Sequence, residues 1–171
     1  MNSLVVRGRA WVLGDNVTTD HIISGKYKYS KMGRLEEMLP YVFADVIPGF
    51  YERVRPGDVI VAGEGFGYGS SREHAARLLR LAGVGAVIAK SFHRIFYRNA
   101  INSGLPVIVA KRIPEITRQG DVIEARLEEG VVINVTRNVV ERVASIEEPL
   151  LSILREGGLI EYFKKRGRLP W

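Results

Sequence analysis

Apolar residues fall in two patterns along this chain: short unbroken runs up to residue 109, then strict alternation with polar residues beyond residue 120. The runs centred on 59–62, Ala86-Val87-Ile88-Ala89 and Pro106-Val107-Ile108-Val109 are too short for helices. They read as strands buried on both faces. Between them lie the amphipathic segments 71–82, closed by Gly83, and 92–103. Strand, helix and strand at this spacing predict parallel pairing through right-handed crossovers. After Gly120-Asp121 the segments 122–127, 131–135 and 139–143 keep a period of two, separated by turn residues such as Glu128-Glu129-Gly130, which predicts an antiparallel meander. A first strand is expected over 5–13, and a short strand or loop over 20–25. Lys26 to Met32 shows no burial pattern. Helices are expected over 34–41 and 148–156, with a last amphipathic turn at 160–165. The prediction is an α/β chain forming one domain over residues 1–171, with a mixed parallel and antiparallel sheet.

At 171 residues the chain is long enough to bury a core unaided. It has 46% hydrophobic and 26% charged residues, the balance of an ordinary globular protein. There is no run of 18 apolar residues and no signal-peptide pattern, so a cytoplasmic location is expected, with no membrane partner. Cysteine is absent, which excludes a disulfide framework, a thiol nucleophile and a thiolate-held cluster within this chain. Three histidines and no cysteine argue against a self-contained metal site, so no metal ligands are assigned. The net charge of +6 is thinly spread. Its one dense cluster, Lys164-Lys165-Arg166-Gly167-Arg168, reads first as a solvated tail, and nucleic-acid binding is disfavoured. Anionic metabolites or an acidic partner suit this charge better.

Three segments carry candidate chemistry. In Gly67-Tyr68-Gly69-Ser70-Ser71-Arg72-Glu73-His74, a glycine-rich turn leads into a predicted helix. Free backbone N–H groups and the helix dipole favour an anion there, and Arg72 can grip a carboxylate with two parallel hydrogen bonds. A hydroxyl in those surroundings has a lowered pKa and can act as a base. The glycine spacing does not give a dinucleotide or P-loop pattern. The plainer alternative is a tight turn with Ser70 as a helix cap, which leaves Ser71 and Arg72 unused. His74, two positions past Arg72, reads as a core or interface residue. The second segment, Gly14-Asp15-Asn16-Val17-Thr18-Thr19-Asp20-His21-Ile22, is by itself a polar loop. The third, Lys90-Ser91-Phe92-His93-Arg94-Ile95-Phe96-Tyr97-Arg98-Asn99-Ala100, reads as a structural helix with Arg94 and Arg98 on one face.

In this order and spacing the three segments closely resemble the swivel domain of the aconitase superfamily. As a free chain of this length, the sequence is similar to the small subunits of its isopropylmalate dehydratase and homoaconitase branches. The resemblance implies a β/β/α three-layer fold docked on a large subunit that carries a 4Fe–4S cluster, none being bound by this chain. It further implies dehydration and rehydration of a hydroxylated di- or tricarboxylate, the isopropylmalate branch serving leucine biosynthesis. Position by position, Ser70 matches the catalytic serine that takes the proton, while Ser71 and Arg72 match residues that bind a substrate carboxylate. Thr19 and Asp20 match the other swivel-domain positions near the active site. Substrate choice is tied to a mobile loop, about 25–33, containing Tyr27, Lys28, Tyr29 and Ser30. Homoaconitase-like relatives often carry Tyr-Leu-Arg-Thr there. Tyr29 replaces that arginine and tilts the reading toward isopropylmalate, although Lys28 alongside still offers a cation to a distal carboxylate. His93 departs from the small residue common in relatives. An RNA-binding regulatory module and a plain small-anion binding protein are the competing classes.

Overall fold

The structure is a computed structural model that describes residues 3–30, 34–69 and 73–171, leaving aside the side chains of 28–30. Seven strands form one sheet in the order β4-β3-β2-β1-β5-β6-β7. They are β1 (Val5–Val12), β2 (Val59–Ala62), β3 (Ala86–Ala89), β4 (Val107–Val109), β5 (Val122–Arg126), β6 (Val131–Asn134) and β7 (Val139–Arg142). β1 belongs to both halves. Residues 5–9 pair antiparallel with β5, and residues 10–12 pair parallel with β2. The two hydropathy patterns thus become the two halves of the sheet. Continuous apolar runs make β2–β4, all parallel, and alternating segments make β5–β7, all antiparallel.

Every residue of β2 and β3 is buried. Ile60 and Ile88 are fully enclosed, as are Leu78 and Leu79 from the helical layer of the same core. Each such side chain contributes roughly 1.5–3 kcal/mol of burial. The N-terminal end of β2 is fastened to β1 by the buried carboxylate of Asp58. It accepts the Trp11 indole N–H at 2.9 Å and the backbone N–H groups of Arg9 and Arg55 at 3.2 and 3.0 Å.

The helices are α1 (Thr19–Ile22), α2 (Gly25–Ser30), α3 (Phe50–Arg53), α4 (His74–Leu81), α5 (Arg94–Asn102), α6 (Ile113–Ile116), α7 (Leu150–Glu156) and α8 (Leu159–Arg166), with a 3-10 helix over Leu35–Tyr41. Several of these differ from expectation. Residues 19–22 are helical, not extended, because Thr18 caps them. Its hydroxyl accepts the His21 N–H at 3.2 Å, and His21 Nδ1 accepts the Thr18 N–H at 2.9 Å. The segment 35–41 winds as a 3-10 helix containing Pro40, which has no N–H for a regular α-helical bond. α4 begins at His74, with Glu73 in the capping position, later than the expected start at 71. The four-residue helices α3 and α6 were not anticipated.

α6 packs against β2, β6 and β7, curling the sheet so that its two edges approach. Glu141 on β7 locks this closure, accepting backbone N–H groups of Lys111, Arg112 and Ile113 at 2.7, 2.9 and 2.7 Å. No described helix is long and apolar enough to cross a membrane.

Candidate active site

β1, β2, β3 and β4 run parallel, so the segments that follow them leave from one end of the sheet, where ligands of open α/β sheets gather. Three of these segments are the three motifs. The loop 63–69 lies between the other two. On one side Glu64 donates its N–H to Asp15 Oδ1 at 2.8 Å, Gly67 to the Val17 carbonyl at 2.7 Å, and Thr19 to the Tyr68 carbonyl at 2.9 Å. On the other side Phe66 donates to the Ser91 carbonyl at 3.0 Å, and His93 donates to the Phe66 carbonyl at 2.8 Å. Ser91 Oγ accepts the Gly65 N–H at 2.8 Å and donates to Glu64 Oε2 at 2.6 Å. The loop is therefore held on both flanks by backbone and short polar side chains.

Two glycines let the chain pass this tightly. Gly67 has φ +84°, and a Cβ there would lie 2.3 Å from Phe96 Cγ. Gly69 has φ +117°, and a Cβ there would meet Thr19 Oγ1 at 3.0 Å. Phe96 in turn sits edge-on to Phe66 with ring centroids 5.2 Å apart, so an aromatic cluster under the loop fixes its path. At the loop's outer end Tyr68 is 62% exposed and packs edge-on to His93 at 5.2 Å. His93, unassigned from the sequence, is thus a support for the loop.

Of the predicted site residues, Ser70, Ser71 and Arg72 lie outside the described residues; they follow Gly69 directly and precede Glu73. Thr19 and Asp20 form the first turn of α1, immediately beside the loop. Thr19 is buried and Asp20 exposed. The segment expected to be a substrate loop begins as helix α2, in which Tyr27 stacks on Tyr41 at 4.5 Å and donates its hydroxyl to Asp45 Oδ1 at 3.0 Å, where Lys26 also reaches at 3.4 Å. Lys28, Tyr29 and Ser30 continue α2, their side chains outside the described residues. Residues 31–33 lie outside them too. The sequence did not single out Asp15, Glu64 and Ser91 as a group. Ser91 followed a strand and Asp15 a turn, but nothing local pairs them across the loop between. Lys90 and Glu115 form an ion pair at 2.8 Å nearby. The hydrogen bond between them, the larger influence on each, raises the lysine pKa and lowers that of the carboxyl. Among the described residues no cluster of three His, Asp or Glu side chains is arranged for a metal ion.

Residues 19–112 match the aconitase C-terminal domain family. The chain is 51% identical over 166 residues to the 3-isopropylmalate dehydratase small subunit 1 of Thermotoga maritima, covering 97% of this chain and 99% of that one. It is 47% identical over 161 residues to the methanogen homoaconitase small subunit of Methanothermobacter thermautotrophicus, covering 94% and 92%. A crystal structure of 3-isopropylmalate dehydratase from Methanocaldococcus jannaschii superposes with a TM-score of 0.87 at 41% identity, over 96% of each chain.

Proposed function

Because this chain belongs to the aconitase C-terminal domain family, we propose that it is the small subunit of a heteromeric hydro-lyase interconverting 2- and 3-isopropylmalate. One observation carries the reading: a likeness of 51% to a 3-isopropylmalate dehydratase small subunit extends over 97% of the chain. The geometry supports it, since the three motif segments meet at one end of the parallel strands.

The reaction removes a proton and a hydroxide from adjacent carbons and returns water with the hydroxyl on the other carbon. Ser70 is the residue that takes the proton, its hydroxyl serving as an alkoxide base beside cationic and N–H donors. Ser71 and Arg72 hold a substrate carboxylate, Arg72 by paired hydrogen bonds. Thr19 and Asp20 border this centre from α1. The segment with Tyr27, Lys28, Tyr29 and Ser30, within about 25–33 of a single swivel domain, selects the substrate's distal group. This chain has no cysteine, so it supplies no thiolate to a 4Fe–4S cluster, and the cluster is assigned to the large subunit.

A homocitrate-type substrate is the second reading, favoured by Lys28 beside Tyr29 and by the 47% identity to a homoaconitase small subunit. Co-purification with the large subunit, followed by parallel assays of 2-isopropylmalate and homoaconitate, separates the two. In the same complex Ser70→Ala is expected to leave assembly intact and reduce kcat by about 10²–10⁴-fold. A variant as active as the parent removes Ser70 from this role.

A further inference from the structure

The sequence marked Arg94 and Arg98 as a shared helix face, and the candidate site makes no use of them. Both are exposed, and neither makes a hydrogen bond or ion pair among the described residues. With Lys111 they rim an open depression of about 460 Å³ whose floor is Phe92, Tyr97 and Val109. The floor is firm. Phe92 and Tyr97 pack edge-on at 6.0 Å, and Val109, at the end of β4, stays 43% exposed. Among the described residues no carboxylate lines it, and the charge of Lys90, also at its edge, is already met by Glu115. The depression is contiguous with the candidate site, because Ser91, on its border, receives the Phe66 N–H of the loop.

Resting on the function proposed above, we propose that this depression is a docking point for the large subunit, receiving an apolar anchor side chain flanked by carboxylates. Two arguments favour that occupant. A partner completing a site at this end of the sheet has to cover this same face. An open apolar floor beside two arginines that hold no partner among the described residues also lacks the walls to enclose a small molecule, whereas a protein surface brings its own cover and its own countercharges.

The test is the affinity of the purified chain for purified large subunit, by titration calorimetry at 0.05 M and 0.5 M salt. Arg94→Glu combined with Arg98→Glu is expected to weaken binding by at least about thirtyfold at low salt. The parent's affinity falls with salt, and that of Arg94→Gln with Arg98→Gln falls less steeply. The single reversal Arg55→Glu, exposed at the opposite end of β2, is the remote control for the single reversal Arg94→Glu and binds as the parent does. Neither Arg94 nor Arg98 holds a partner among the described residues, so circular dichroism should show the variants folded. Parent-like binding by the folded Glu pair overturns the docking point and leaves the functional reading standing. Failure of the parent itself to bind the large subunit sinks both. Two further results also overturn the docking point while large-subunit binding persists. In one, the Glu pair dissolves a homo-oligomer seen by light scattering; in the other, it abolishes binding of a dicarboxylate to the chain alone.

Discussion

Gly67 ties the candidate site to the core more tightly than any side chain around it. Its φ of +84° is one that other residues adopt only with strain, and Phe96 occupies the space a Cβ would need. Gly67→Ala therefore combines backbone strain with overpacking against a buried ring, at a cost of about 2–3 kcal/mol. Calorimetry should show Tm falling by roughly 4–12 °C. Gly14→Ala is the control, since a Cβ there meets nothing within 4 Å, and it should leave Tm nearly unchanged. A Gly67→Ala protein as stable as the parent means that the loop finds another path past Phe96. At this scale the sequence disclosed which residues matter but not whom they touch. The glycine-rich turn was evident, but Phe96 lies in another motif. The pairing of Asp15 with Glu64 spans two loops whose local patterns say nothing of each other.

Among the elements, those that repay burial were legible and those that only close a gap were not. β2 and β3 match their apolar runs residue for residue, because a strand buried on both faces has no other composition available. α1 was hidden because His21 stands where a capping box ordinarily has Glu or Gln, so its signature was missed. α6 was hidden because it is held from outside by Glu141, 28 residues from Ile113. That bond makes a prediction. Glu141→Ala removes the acceptor for three backbone N–H groups and is expected to cost about 1–3 kcal/mol. Glu141→Gln keeps one carbonyl oxygen, and Glu141 Oε1 alone serves two of the three donors, at Arg112 and Ile113. The Gln variant should therefore retain most of the lost stability in urea unfolding. Equal destabilisation by both substitutions refutes the assignment of Glu141 as an acceptor-only clasp.

At the scale of the whole molecule, a basic chain is held together by carboxylates that are ionised more readily than usual. Burial on its own would raise the pKa of Asp121. The Arg118 backbone N–H, the Asn134 amide and the Arg137 guanidinium outweigh it and leave the pKa lowered. Glu124 is likewise lowered, with Arg126 and Arg7 outweighing burial. Elsewhere, the Arg155 hydrogen bond lowers Glu128, and Lys165 and Arg166 lower Glu156. A carboxyl whose pKa is depressed by folding binds protons more readily when unfolded. Its contribution is thus complete above the ordinary carboxyl range near ~4 and is lost as pH falls through the folded value. The fold should weaken on acidification below about pH 4. Salt distinguishes the contributors, because Glu156 is held by the exposed Lys165 and Arg166 and is screened more, whereas Asp121 is 5% exposed and is screened less. Asp121→Asn keeps the shape but cannot ionise, so the variant should be less stable at pH 7 and flatter in its decline toward pH 2. Urea midpoints collected from pH 7 to pH 2 in 0.5 M salt test this directly. Curves for parent and variant that run parallel through the acid range would show that the buried carboxylate does not set the acid limit of the fold.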